Sequence, residues 1–488
     1  MPLKNPLQYS KTNPLLYHQK TYQEIIAHLD SNWRTSPHSI IQKINLALGD
    51  LASKLTTIFI AGTNEKNTTI HYLEEILHAK NITVGSFCSP HFTSYNERLK
   101  INGKSISKDE FVALANKILH LTQELQLPAS SKDILTAMAL MLFDEKKVTL
   151  SVFQQDNYTD KDPVTICTPI ILGIPHIIET TPEKTLTAIN AIIDSISDKT
   201  HVISADQNKS SLKKMAQRTK EINSVWVMPI RKVAPLSYPF EQLFGRYAAL
   251  ADRIAQTYLD HHTTQSPSMK NSSAQFDPAI QTTFQSNPCE QSLEVPLQQK
   301  KLKNLQLSSV DFWLSINNDI PNKFETITKN QTTILLDSAD NIDSFNNLFL
   351  GVRLLNYQHK FDNVSFVVGC IKEACKQEDF IKLLKSYFKK QIKVIGACPT
   401  PYTIGEKIGP SWNIEHFVDV AQQAKFTAIQ KPDLKTTLLE MLHQGKEHKE
   451  SFLEQTHPQK NLIVITGSQS IITEYHKIHN DLQTSEQI

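Results

Sequence analysis

Lys66 stands where a phosphate could be held. It follows Gly62-Thr63-Asn64-Glu65 and precedes Asn67-Thr68-Thr69, between the β-branched apolar run Leu55–Ala61 and a stretch with helical spacing. Strand, tight loop, lysine, hydroxyl residue and helix together make a phosphate-binding arrangement. Backbone N–H groups and the helix N-terminus cradle the anion, Lys66 pairs with terminal phosphates, and Thr68 or Thr69 reaches a magnesium ion. The same residues also read as an ordinary turn in which Asn64 or Thr63 caps the helix. Glycine decides much here, because a gripping loop needs it where backbone approaches anion, and this chain of 488 residues has only 13.

The elements around this loop alternate. After the first strand and the helix Lys66–Lys80, the pattern predicts a strand over Ile82–Phe87, helices over Lys108–Glu124 and Lys132–Phe143, and a strand over Val148–Phe153. Val164–Leu172 reads as a central parallel strand, and His201–Ser204 and Val225–Met228 add two more. Strands alternating with helices predict a parallel, doubly wound α/β sheet. From 261 to 306 the texture is Ser-, Thr-, Gln-, Asn- and Pro-rich without periodicity, which predicts a polar, flexible insertion. The alternation restarts with strands at Thr333–Asp337, Val364–Gly369, Ile392–Ala397 and Asn461–Thr466. The expected division is therefore 1–260, the insertion 261–306, and a smaller α/β domain over 307–488.

Composition narrows the function classes. Lys+Arg 51 against Asp+Glu 49 leaves a formal charge of +2, which argues against a nucleic-acid or membrane electrostatic footprint. The six cysteines, Cys88, Cys167, Cys289, Cys370, Cys375 and Cys398, show neither a CxxC pair nor metal-ligand spacing and read as thiols of a reducing compartment. Met1–Lys20 lacks an apolar signal core, and the longest apolar stretch, Cys167–Ile178, is too short to span a bilayer. A cytoplasmic location is the expectation.

Further motifs add a family resemblance. Ser89-Pro90-His91-Phe92 and Tyr95-Asn96-Glu97-Arg98-Leu99-Lys100-Ile101-Asn102-Gly103 resemble the SPHL and Y.ERI.ING signature of the folylpolyglutamate synthase/dihydrofolate synthase family, ATP-dependent amide ligases related to the Mur ligases. The loop at Gly62 resembles that family's AGTNGKGST, and Leu135-Thr136-Ala137-Met138-Ala139 matches its LTAMA helix. Downstream, Pro321-Asn322-Lys323-Phe324-Glu325 resembles PGRFE, and Leu336-Asp337-Ser338-Ala339-Asp340-Asn341 resembles D.AHNP. Gly369 and Gly467-Ser468 fall at the family's VxG and GS turns.

The resemblance implies a Mur-ligase-like α/β protein: an N-terminal P-loop-type ATPase domain and a smaller C-terminal Rossmann-like domain. It implies ATP and magnesium as cofactors, with Gly62, Thr63, Asn64, Lys66, Thr68, Thr69, Asp337 and Asn341 toward the nucleotide and Ser89 and His176 toward the metal. The reaction it implies activates a folate or dihydropteroate carboxylate as an acyl phosphate, which a glutamate amine then attacks. The partners are those small molecules, on a monomer, with no nucleic acid and no membrane.

The chain departs from the family at the positions that carry this chemistry. Glu65 and Asn67 stand where the loop has glycines. A positive φ there costs about 1–2 kcal/mol for a residue with a side chain. A carboxylate about 5 Å from a phosphate adds roughly 3 kcal/mol of repulsion. Against EVGLGGRLDATN the chain has Ser151-Val152-Phe153-Gln154-Gln155-Asp156-Asn157-Tyr158-Thr159, so the metal-binding Glu falls on Ser151 and the Asp on Thr159. Asp156 or Asp160 is the available substitute carboxylate. The family's carbamylated lysine falls on Ile189 or Asn190, the histidine of D.AHNP on Asp340, and the Phe-Glu of its folate-facing segment on Lys132-Asp133. Two functions follow: a ligase of weak or lost activity, or a non-catalytic relative that keeps the shell and binds a ligand or partner. His176 also reads as a core histidine, Glu97 and Arg98 as a structural ion pair, and Lys382, Lys385, Lys389 and Lys390 as a solvated helix face.

Overall fold

Short polar side chains fix where several helices begin. The structure, a computed structural model, describes residues 19–91, 93–156, 162–178, 182–230, 236, 240–265, 320, 323–329, 331–371, 375–388, 391–400, 410–447 and 460–484. Helix α1 (Tyr22–Ser31) is opened by Thr21 and Glu24, each bonding the other's backbone N–H, and α2 (His38–Ala47) follows Pro37. Strand β1 (Thr57–Ala61) leads through the Gly62 loop into α3 (Lys66–His78). Then come β2 (Val84–Phe87), the short β3 (Leu99–Ile101) and β4 (Lys104–Ser105), and α4 (Lys108–Glu124). Ser130 caps α5 (Ser131–Glu145) in the same reciprocal way with Asp133. Next are β5 (Leu150–Gln155), β6 (Pro169–Ile174), α6 (Pro182–Ile193), β7 (His201–Ala205), α7 (Lys209–Glu221), β8 (Val225–Ile230) and α8 (Phe240–Gln265).

These strands form one eight-stranded sheet in the order β4-β3-β2-β5-β1-β6-β7-β8. It is parallel except at the β2-β3-β4 edge. A second, six-stranded sheet is built from β9 (Glu325–Lys329), β10 (Thr332–Asp337), β11 (Asn363–Val368), β12 (Ile392–Ala397), β13 (Ala428–Gln430) and β14 (Asn461–Thr466). Its order is β13-β12-β11-β14-β10-β9, with β9 the antiparallel member. The chain is thus α/β throughout.

β1 shows why the first sheet is sandwiched. All five of its residues are buried, with Ile58 and Ile60 joining the core that includes α3 and α8, while Phe59 and Ala61 join the core on the α5 side. The run Val164–Leu172 is not one strand: Pro163–Ile166 forms a 3₁₀ turn, with Asp162 accepting from the Val164 N–H, and the strand starts only at Pro169. The polar stretch expected over 261–306 begins inside α8, which is helical to Gln265; residues 266–306 lie outside the described residues. Lys382 and Lys385 are exposed on the helix Gln377–Phe388, and Lys389 and Lys390 lie outside the description. No helix among the described residues is long and apolar enough to cross a membrane.

Candidate functional site

Neighbouring parallel strands deliver their carboxyl ends to one edge of the first sheet, the usual place for a ligand in an α/β fold. There β2 hands over to Ser89, β5 to Asp156, β1 to Gly62 and β6 to His176. The second sheet presents its own carboxyl ends opposite, with Asp340 after β10 and Gln469 after β14. A cavity of about 870 Å³ lies between, with Thr63, Lys66, Ser89, Gln154, Asp340 and Gln469 in its wall. Gln469 also closes one side by donating its amide to the His91 carbonyl.

The loop is tied down on every side. A Cβ on Gly62 would lie 2.6 Å from the His176 carbonyl oxygen, so only glycine fits. Thr63 donates its N–H to that same carbonyl at 2.8 Å, and its hydroxyl accepts from Ile178 N–H at 2.7 Å. Asn64 reaches the second sheet's side of the cleft, donating to Asn341 Oδ1 and Asp343 Oδ2, both at 3.2 Å; Asn341 donates back at 3.1 Å. Asn341 is also the cap of the helix Ile342–His359. His176 Nε2 lies 3.0 Å from Asp343 Oδ2, which holds the Asp343 carboxyl below the usual range, while His176 Nδ1 is buried without a hydrogen-bond partner.

Glu65 is left-handed at φ 61°, as the family comparison anticipates for the first glycine position. Asn67 is not: it lies in the first turn of α3, where an asparagine costs no left-handed strain. The buried Glu65 carboxylate accepts from Thr68 Oγ1 at 2.6 Å and lies 3.2 Å from Lys323 Nζ. Thr69 donates to the Glu65 carbonyl at 2.9 Å. Burial works against the Lys323 charge, but Glu65, Asp337 and Asp340 more than offset it and raise its pKa. Asp337 is pushed up to about 6 by burial, against the pull of Lys323, and accepts from the backbone of Phe324 and Ala339. Lys66 turns back to the Gly62 carbonyl at 2.9 Å and lies 3.8 Å from Asp156 Oδ1.

On the metal side, Ser89 Oγ accepts from the Arg98 guanidinium at 2.8 Å, and Arg98 Nε donates to His91 Nδ1 at 2.9 Å. Arg98 is buried against the rings of Trp33 and Tyr95. Burial, and secondarily Arg98, pushes His91 down to about 3, so it accepts as a neutral ring. Ser151 lies inside β5, its hydroxyl buried without a partner. The β5 side chain that meets Ser89 is Gln154, whose Nε2 donates to the Ser89 carbonyl and, at 2.6 Å, to Asp156 Oδ1. The family alignment puts the metal-binding Glu at Ser151, but strand register brings Gln154 to Ser89 instead. Thr159 and Asp160 lie outside the described residues. Among the described residues no three His, Cys, Asp or Glu side chains group as a metal site.

Two sheets whose carboxyl ends face each other across this loop define a two-sheet α/β protein with its cleft between the sheets. No protein-family model matches the chain. It is 29% identical over 142 residues to the dihydrofolate synthase/folylpolyglutamate synthase of Bacillus subtilis (strain 168), a match covering 28% of this chain and 33% of that relative. The chain thus spans about a third of the length of the curated relative it matches. In fold it is similar to Mycobacterium tuberculosis folylpolyglutamate synthase complexed with ADP and AMPPCP, with a TM-score of 0.70 and 15% identity over 93% of this chain and 98% of that one. A bifunctional folylpolyglutamate synthase/dihydrofolate synthase with Mn, AMPPNP and L-glutamate bound matches with a TM-score of 0.64 and 15% identity, over 95% and 100% of the two chains. The sequence match bears out the resemblance to the folylpolyglutamate synthase/dihydrofolate synthase family, and the structural matches bear out the fold.

Proposed function

We propose that this chain is a folylpolyglutamate synthase/dihydrofolate synthase-like protein whose ancestral activity is ATP-dependent ligation of L-glutamate to a folate or dihydropteroate, and that this activity is weak or lost here. The observation that carries the reading is the Glu65 carboxylate, which already holds the Thr68 hydroxyl and the Lys323 ammonium. A bound polyphosphate would have to displace it and tolerate a buried negative charge at the start of α3, where an anion site needs positive potential.

The residues present do not fit a magnesium ion. Ser89 Oγ faces a guanidinium, His176 Nε2 is engaged by Asp343, and an amide rather than a carboxylate meets Ser89 from β5. A hard divalent cation takes several oxygen ligands of net negative charge, and a nearby Arg98 opposes it. Asp156, the other candidate carboxylate, is committed to Lys66, Lys132 and Gln154.

The cavity of about 870 Å³, walled by both sheets, favours a second reading: a non-catalytic relative that retains a ligand or partner site. Calorimetry with Mg-ATP, followed by glutamate incorporation into dihydropteroate, tests the first reading. The expected result is no micromolar ATP binding and no product. Glu65→Gly combined with Gln154→Glu then asks whether the loop and the carboxylate are what was lost, with recovered ATP binding as the expected sign.

A further inference from the structure

Asp156 holds a position unlike that of an ordinary surface carboxylate. Its Oδ1 lies 3.8 Å from Lys66 Nζ and its Oδ2 3.8 Å from Lys132 Nζ. Gln154 Nε2 fixes it further at 2.6 Å. Both lysine side chains are mostly covered, at 15% and 12% exposure. Lys132 is also 3.1 Å from Asp162, whose side chain is fully buried. The result is an alternating row, Lys66, Asp156, Lys132, Asp162, carrying no net charge. Lys66 comes from the α3 loop, Asp156 from the end of β5 and Lys132 from α5, so three separate elements converge on one carboxylate.

Two lysines converging from different elements on a partly buried point create a positive potential that can hold an external anion. Here the chain supplies the anion itself. We propose that Asp156 is an internal substitute for a polyphosphate ligand at Lys66, a residue of the cavity wall, and that its charge there opposes polyanion binding. The inference rests on the reading of the cleft as the anion site of an ancestral reaction. It adds a second carboxylate that opposes an anion, and it concerns Asp156 rather than the Glu65–Lys323 pair.

The test uses inorganic tripolyphosphate without any divalent metal, on the full chain and on Asp156→Asn. Asparagine keeps the size of the side chain and the acceptor for Gln154, but removes the charge. Calorimetry should show the variant binding tripolyphosphate at least about tenfold tighter than the parent chain, with thermal stabilisation by the anion larger in the variant. A folded variant with no gain overturns the proposal, as does a parent chain that binds tripolyphosphate as tightly as the variant. If Asp156→Asn does not fold alone, refolding is followed against added tripolyphosphate and against sodium chloride of equal ionic strength. Rescue by the polyanion alone supports the substitution of one anion for another; equal rescue, or none, refutes it. Ligase turnover by the parent chain would sink the proposed loss of activity yet leave this comparison of parent and variant unaffected.

Discussion

The Glu65 carboxylate meets the Lys323 ammonium at 3.2 Å, joining the loop after β1 to the segment that enters β9 across 258 residues of sequence. Both groups are largely covered, with side-chain exposures of 4% and 21%. Removing one partner strands the other. Glu65→Ala should cost about 3–5 kcal/mol of unfolding free energy in denaturant titrations. Glu65→Gly should recover about 1–2 kcal/mol of that, because glycine is at ease at φ 61°. Glu65→Gln with Lys323→Met should cost less than the sum of the single changes, as expected of neighbours in one pair.

His91 makes stability depend on acid. Its folded pKa lies at about 3, lowered first by burial and then by Arg98. A histidine depressed in the fold contributes stability that is full above its unfolded pKa near 6.5 and is lost as pH falls toward 3. The loss should approach 4 kcal/mol on the order of magnitude. In His91→Gln, whose amide oxygen can still accept from Arg98 Nε, this component should be absent. Unfolding curves of both chains from pH 7 down to about 3.5 check it: the parent should fall more steeply.

Gly62→Ala drives a methyl group toward the His176 carbonyl, 2.6 Å from where the Cβ would sit. That carbonyl also accepts from Thr63 N–H, so the loop and the β6 end must move apart together. A loss of about 1–3 kcal/mol is expected, measurable as a lowered Tm. The same change should weaken the Asn64–Asn341 bridge across the cleft, because Asn64 follows on the displaced loop.

Much of this was legible in advance, for identifiable reasons. The β-branched run before Gly62 and the helical pattern over Lys108–Glu124 are local signals, and β1 and α4 appear where they point. The 3₁₀ turn at Pro163–Ile166 was hidden inside an apolar run, because burial without periodicity does not separate turn from strand. The short β3 and β4 carry too few residues for a pattern. In the site, the left-handed Glu65 followed from its place in the loop, whereas its partner did not. Lys323 is 258 residues away, and a long-range ion pair leaves no trace in spacing. Gln154 was missed for a related reason: which β5 side chain meets Ser89 is decided by sheet register, Phe87 pairing with Phe153.

The central claim is that the phosphate side of this cleft is taken up by the chain's own charged groups. The most direct measurement is calorimetric titration of the full chain with Mg-ATP, paired with an assay for glutamate joined to dihydropteroate. The account predicts no micromolar binding and no product. Micromolar ATP binding together with measurable product would contradict it.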